Sequence, residues 1–98
     1  MKKYILEKSN RKDKKFMIKN GKTIHFGQKG YSDFTISKDT NKKKNYIKRH
    51  RVNENFDDLN SAGSWAKNIL WNKKTIKSSI KNMEKKFNIN IINKIKNK

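Results

Sequence analysis

The chain has 98 residues and carries 27 lysines and arginines against 8 aspartates and glutamates, which gives a formal net charge of +19. That length suits a single domain, and the absence of cysteine excludes disulfides and thiolate metal sites. Because so few acids offset the basic residues, the sequence predicts a polyanionic partner, with nucleic acid ahead of an anionic membrane or an acidic protein.

Hydropathy argues against insertion into a membrane and against secretion. No apolar run approaches the roughly 20 residues of a membrane span, and the N-terminal residues lack the apolar stretch of a signal peptide. We therefore expect a soluble, intracellular protein. Only 32% of the residues are hydrophobic, so its small core must rely on aromatic side chains.

Three short segments of alternating hydrophobicity at the start of the chain predict strands. Each has two apolar residues spaced by two: Tyr4 and Leu6, Phe16 and Ile18, and Ile24 and Phe26. Residues 9–13 form a polar turn between the first two segments. Asn20 and Gly21 indicate a type I′ hairpin between the others, because both residues accept a positive φ. We expect an antiparallel meander with one apolar face.

After the third strand the chain is expected to turn away from the sheet. Gly27 and Gly30 favour a plain turn over a backbone cradle for phosphate, because the spacing of neither a Walker A nor a dinucleotide-binding motif is present. Tyr31, Phe34 and Ile36 then predict a short fourth strand or an ordered loop, with Tyr31 and Phe34 facing inward.

A cationic helix is predicted over residues 41–52, with Ser37 or Asp39 as its N-cap. Tyr46 and His50 are four residues apart and form an inward stripe. The helix contains no acid, and its basic residues are the main predicted phosphate contacts: Lys42, Lys43, Lys44, Lys48, Arg49 and Arg51.

Two further helices are predicted. Small residues at 61–64 lead into a short apolar helix whose large side chains are expected to close the core: Trp65, Ile69, Leu70 and Trp71. The last helix is expected at residues 73–87, with Asn72 as its cap. Its apolar residues recur at spacings of four, three and four: Ile76, Ile80, Met83 and Phe87.

The opposite face of the last helix supplies a second predicted set of phosphate contacts. These residues are Lys73, Lys74, Lys77 and Lys81. Residues 88–98 either continue the helix, add a strand or fray, and the pattern leaves the three outcomes open.

Together these elements predict an α+β fold. A small N-terminal antiparallel meander of three or four strands is expected to pack against two or three helices. Residues 1–72 would form a compact domain, and residues 73–98 a lysine-rich helical extension that packs on the same domain.

Five short motifs follow one another between residues 4 and 72. They are GKTIHFG at 21–27, GYSDFT at 30–35, YIKRH at 46–50, AGSW at 62–65 and LW at 70–71. This series resembles a small family of uncharacterised proteins encoded by giant, nucleocytoplasmic large DNA viruses. The chain departs from that pattern at Ser64, where an aromatic residue is common, and at Lys67-Asn68, where an Arg-Trp pair is frequent. The resemblance implies a viral origin and no particular activity.

Motifs for catalysis and for metal binding are weak in this sequence. The candidate metal ligands are His25, His50, Asp33, Glu54, Asp57 and Asp58. We favour structural roles for both histidines, because no paired-carboxylate or His-x-x-x-His arrangement accompanies them. No nucleophile elbow or triad is present. We therefore expect no catalytic residue, no metal site and no cofactor, and we expect Trp65 and Trp71 to be core residues rather than platforms for bases.

The sequence thus predicts a non-enzymatic, sequence-tolerant nucleic-acid-binding protein of a large DNA virus, with DNA preferred to RNA as the ligand. Lysines act as point charges on phosphates and do not by themselves read bases. The expected location is the virion, associated with the genome, or the viral factory in the cytoplasm of the infected cell. The alternative is a structural or cement component of the virion that docks on acidic protein surfaces through an exposed Ile76 to Phe87 stripe. A small nuclease ranks third, and the oligomeric state is left open.

Overall fold

The computed structural model describes residues 2–95, and within them four strands and several helices form an α+β fold. The strands are β1 (Lys2–Lys8), β2 (Lys14–Asn20), β3 (Lys22–Gln28) and β4 (Ile89–Asn93). The helices are α1 (Phe34–Ser37), α2 (Thr40–His50), α3 (Ala62–Trp65), a π-helical segment (Ala66–Leu70) and α4 (Ile76–Phe87). The predicted fold class is confirmed.

The first three strands form the predicted antiparallel meander. Leu6 lies opposite Ile18 across the β1–β2 ladder, and Phe16 lies opposite Phe26 across the β2–β3 ladder. These four side chains are buried in one cluster. Because strand side chains alternate between faces, the period-two pattern was sufficient to identify the inner face of the sheet.

The hairpin between β2 and β3 has a different turn from the predicted one. Lys19 lies opposite Thr23 and Asn20 opposite Lys22, which leaves Gly21 at the tip. Gly21 has a φ of 74°, whereas the φ of Asn20 is not positive. A type I′ turn requires positive φ at both residues, so the hairpin prediction is correct and its turn type is wrong.

The fourth strand comes from the C-terminal part of the chain. The sheet order is β3-β2-β1-β4, and β4 runs parallel to β1 with Ile91 opposite Tyr4. Asn88 ends α4 with a φ of 55°, and the amide of Ile91 donates to Oε2 of Glu84 at 2.8 Å. Of the three outcomes left open for residues 88–98, the strand is the one that forms over the described part.

Residues 31–36 were predicted to form a short fourth strand or an ordered loop, and no strand forms there. Asp33 instead caps the short helix α1, where its side chain accepts a hydrogen bond from the amide of Thr35 at 2.9 Å. Phe34 is buried as expected, but Tyr31 is 67% exposed and Ile36 is 63% exposed. A good N-cap stabilises a helical turn locally, and this preference outweighs the weak alternation of three apolar residues.

The two longer helices begin at acceptor side chains, as helices commonly do. Asp39 caps α2 and accepts from the amides of Asn41 and Lys42. Thr75, rather than Asn72, caps α4. Asn72 is buried instead, and its side-chain amide donates to the carbonyl of Asn68 and to Oδ1 of Asn82.

The core lies between the sheet and the helices α3 and α4. Trp65 is fully buried, and its indole donates to the carbonyl of Leu59 at 2.9 Å. In α4, Ile80 and Met83 are buried, and Ile76 and Phe87 pack against the same cluster. This stripe therefore faces the core and is not an exposed docking surface. Within residues 2–95, no helix combines the length and the hydrophobicity that crossing a membrane would require.

Candidate functional site

The basic residues of α2 divide between two exposed flanks and one inner position. Successive residues of an α-helix are rotated by about 100°, which puts two residues on one flank, Lys42 and Arg49. The second flank has Lys44 and Lys48 together with Arg51, the C-cap residue that directly follows the helix. All five are exposed, so they are accessible to an external anion.

Lys43 occupies the inner position and is held by the protein. Its Nζ donates to the carbonyl of Asn72 and lies 5.0 Å from the centroid of the Phe34 ring. Burial lowers the pKa of Lys43, and the neighbouring charge of Lys73 lowers it further. Lys43 therefore anchors α2 to the segment before α4 and is less available to a phosphate than its neighbours.

The second predicted set lies beside the first. Lys73, Lys74, Lys77 and Lys81 are all exposed. The carbonyl of Lys74 accepts from Nζ of Lys38 at 3.3 Å, and the carbonyl of Asn72 accepts from Lys43. These two contacts bring the segment before α4 close to the start of α2, so Lys73 and Lys74 adjoin the first set, and Lys77 and Lys81 follow along α4.

None of the ten predicted contact residues has an acidic partner within residues 2–95. The ion pairs in that part of the chain involve Arg11, Lys15, Lys19, His50 and Lys86. Repulsion between cations contributes at Lys67, whose pKa is lowered first by burial and then by Lys86 and Lys43, while Asp57 opposes the shift. A bound polyanion would relieve this repulsion.

A cleft of about 410 Å³ opens beside α2, between the end of the sheet and α3. Each of the five sequence motifs contributes to its lining, through Gly27, Tyr31, Arg49, Gly63 and Trp71. These residues are far apart in the sequence, and only the fold brings them together. The cleft is therefore a second candidate site, which reasoning from the sequence did not identify.

One wall of the cleft is a stack of three rings. The ring of Tyr46 lies 4.4 Å from that of Trp71 at an interplanar angle of 6°, and 4.1 Å from the ring of His50 at 26°. Burial raises the pKa of Tyr46 to about 12, with a further contribution from the charge of Glu54. Tyr46 consequently stays protonated at physiological pH and keeps a neutral ring in the wall.

Glu54 lies next to this stack. Its Oε2 is 3.5 Å from Nδ1 of His50, and the side chain as a whole is 31% exposed. The Oε2 atom itself is buried and has no hydrogen-bond partner among the described residues. His25, in contrast, bonds Oγ of Ser9 at 2.8 Å and does not line the cleft. Within residues 2–95, no three His, Asp or Glu side chains are grouped so that they could hold a metal ion.

A buried ion pair fixes the loop at the mouth of the cleft. Nζ of Lys15 lies 2.6 Å from Oδ2 of Asp33, and the side chains are only 14% and 3% exposed. The other oxygen of Asp33 caps α1. The sequence did not predict this ion pair. The only signal for the importance of Asp33 was its place in the GYSDFT motif.

Comparison with known proteins gives a partial match. Residues 4–50 are similar to a family of unknown function (DUF5754). The matched segment runs from β1 to the end of α2 and includes Tyr31, Asp33 and Arg49. No curated protein and no solved structure gives a significant match to the chain.

Proposed function

We propose that this protein binds nucleic acid, without acting on it as an enzyme, through the exposed basic residues of α2 and of residues 73–81. The observation that carries the proposal is that these side chains have no acidic partners within residues 2–95. Cations without acidic partners are available to neutralise the phosphates of a nucleic-acid backbone, which is the main source of sequence-independent affinity. We call this surface the basic face. It comprises the following exposed residues: Lys42, Lys44, Lys48, Arg49, Arg51, Lys73, Lys74, Lys77 and Lys81.

The expected mode of binding tolerates different sequences. Lysine contributes a compact point charge with rotatable donors, which suits phosphate oxygens and does not distinguish base edges. Most of the proposed contacts are lysines, and the two arginines, Arg49 and Arg51, lie on different flanks of α2. Duplex DNA is the first ligand to test, with RNA second.

We also infer that the protein originates from a large DNA virus and acts in the virion or in the viral factory of the infected cell. The ordered motif series and the high content of lysine, asparagine and isoleucine support this origin. A basic protein of this kind would neutralise part of the charge of a packaged genome.

The test is the salt dependence of binding to a short duplex, measured by fluorescence anisotropy. With about five phosphate contacts, the logarithm of the association constant should fall with a slope of roughly −4 to −5 against the logarithm of salt concentration. Between about 50 and 200 mM salt, that slope weakens binding several hundredfold. An affinity that stays flat over this range would overturn the proposal.

Matched substitutions separate the assigned face from a general effect of net charge. One variant replaces Lys44, Lys48 and Arg51 with alanine, and its control replaces three exposed lysines of the sheet and its first turn, Lys8, Lys12 and Lys22. Both variants lose three charges. Binding should weaken, and its salt slope should become shallower, in the first variant much more than in the control. Equal losses would show that the face is wrongly assigned.

A further inference from the structure

We propose that the cleft beside α2 binds one unpaired nucleotide, with its base stacked on Tyr31 and its phosphate contacted by Arg49 and Lys14. This inference rests on the proposed function and extends it, because it adds a site for a base to a surface for phosphates. The protein would then prefer single-stranded, bulged or terminal nucleotides to a fully paired duplex.

The size and composition of the cleft fit a nucleotide. Its volume of about 410 Å³ lies within the range of roughly 300–1,000 Å³ that is typical of small-molecule sites. Trp71, Tyr46 and Leu70 supply an apolar and aromatic side, whereas Gln28, Ser32 and Arg49 supply polar groups. A nucleobase likewise has apolar faces and a polar edge. Its faces can contact the aromatic and apolar side of the cleft, and its edge can form hydrogen bonds with the polar groups.

Tyr31 has the properties of a stacking platform. It is 67% exposed at a position that lines the cleft, and no other ring stacks on it within the described residues. An exposed aromatic side chain gains when a base covers it.

The backbone beneath Tyr31 is held at two points. The amide of Tyr31 donates to the carbonyl of Gln28 at 3.3 Å, and two residues later the Asp33 carboxylate is paired with Lys15. The backbone near Tyr31 would therefore lose little conformational entropy when a ligand binds, and a small entropic cost favours affinity.

The cleft carries a small excess of positive charge, because three cations line it, Lys14, Lys15 and Arg49, against two carboxylates, Asp33 and Glu54, and this excess favours an anionic ligand. Arg49 and Lys14 both line it, and neither has an ion-pair partner within residues 2–95. Lys15 also lines the cleft but is occupied by Asp33. The planar guanidinium of Arg49 can donate two parallel hydrogen bonds to a phosphate. Arg49 is exposed on α2 and also lines the cleft, so it belongs to both the basic face and the cleft.

The first experiment detects a nucleotide in the cleft of the full-length protein. Adenosine 5′-monophosphate is titrated while amide and indole NMR signals are followed, and ribose 5-phosphate at the same ionic strength is the control. The signals of Tyr31, Gly63 and the Trp71 indole should shift with the nucleotide and much less with the sugar phosphate. Absence of shifts in the cleft, or equal shifts with both compounds, would overturn the inference.

The second experiment compares a duplex that carries one bulged adenine with the same duplex without the bulge. Stacking of one base on an aromatic side chain predicts a preference for the bulge of roughly fivefold or more. The preference should disappear in Tyr31→Ala and remain in Tyr31→Phe. Ile36→Ala removes a side chain that is 63% exposed and does not line the cleft, so it should keep the preference.

The two experiments distinguish failure of this inference from failure of the proposed function. If both duplexes bind equally and with a steep salt dependence, the role of the cleft is overturned and binding through the basic face stands. If neither duplex binds but the mononucleotide shifts the cleft signals, the proposed function is overturned and the ligand class of the cleft stands.

Discussion

The carboxylate of Glu54 packs directly against the α-carbon of Gly63. A β-carbon at residue 63 would lie 2.6 Å from the Glu54 side chain, which is much shorter than a normal van der Waals contact. Gly63 is the second residue of α3, where alanine would otherwise be preferred by about 1 kcal/mol. Glycine therefore leaves space for the carboxylate beside His50 at the cleft.

This contact predicts that substitutions at the two positions are not additive. Gly63→Ala forces the Glu54 carboxylate to move, whereas Gly63→Ala combined with Glu54→Ala removes the conflict and keeps the gain in helix propensity. We expect a coupling free energy of roughly 0.5–3 kcal/mol from urea unfolding of the wild type, both single variants and the double variant. Additivity within about 0.3 kcal/mol would mean that the contact has no energetic consequence.

The Lys15–Asp33 pair should be important for stability. Asp33→Ala leaves a largely buried ammonium group without its partner and removes the N-cap of α1, so a loss of about 3–5 kcal/mol in unfolding free energy is expected. Asp13→Ala breaks an exposed pair with Arg11 whose side chains are 55% and 58% exposed, and it should cost less than about 1 kcal/mol. Chemical denaturation of the two variants measures both losses in unfolding free energy. Losses of similar size would contradict the importance of the Lys15–Asp33 pair.

Lys67 should destabilise the free protein. Burial first, and then Lys86 and Lys43, lower its pKa, so the folded state binds fewer protons at Lys67 than the unfolded state does just below the ordinary lysine pKa. Its contribution to stability therefore rises as the pH increases through that window.

Lys67→Met removes this charge and should raise the unfolding free energy at low salt by a few tenths of a kcal/mol to about 1 kcal/mol. The gain should shrink at high salt because ions screen the repulsion. Lys77→Met, at an exposed position of α4, is the control. A loss of stability at every salt concentration would show that the contact of Lys67 with the Phe56 ring outweighs the repulsion.

Tyr46 should ionise late in an alkaline titration. Its pKa in the folded protein is raised to about 12, mainly by burial, so between pH 10 and that value the folded state holds a proton that the unfolded state releases. The contribution of Tyr46 to stability is therefore complete at neutral pH and is lost as the pH rises through this window. Phenolate absorbance should show a late step that Tyr46→Phe abolishes and Tyr31→Phe retains. If Tyr46→Phe leaves that step in place, the assignment is wrong.

Residues after Asn72 should be required for a cooperative fold. A chain that ends at Asn72 lacks Ile80, Met83 and the whole of β4, so β1 would become an exposed edge and the core would lose one side. We expect broad, non-cooperative unfolding by circular dichroism, whereas Met83→Ala in the full chain should keep a cooperative transition and cost about 2–5 kcal/mol. A sharp transition in the shortened chain would contradict this prediction.

The sequence by itself determined the local elements and their inner faces. The alternation of Tyr4 and Leu6 identified a strand, and the spacing of Ile80 and Met83 identified a helix, because each pattern reflects the geometry of a single element. The grouping of basic residues on α2 was also readable, since it depends only on neighbouring positions. The location of the basic face was thus largely predictable, whereas its function stays a proposal.

Only the tertiary structure decided which distant residues meet. The pairing of β4 with β1, the stacking of Trp71 on Tyr46 and the inward position of Lys43 all depend on the way in which helices pack over the sheet. Many arrangements satisfy the same local periodicities, and the one that forms is selected by burial and hydrogen bonding summed over the whole chain. The cleft is assembled from five separate segments, and for this reason no single stretch of sequence could reveal it.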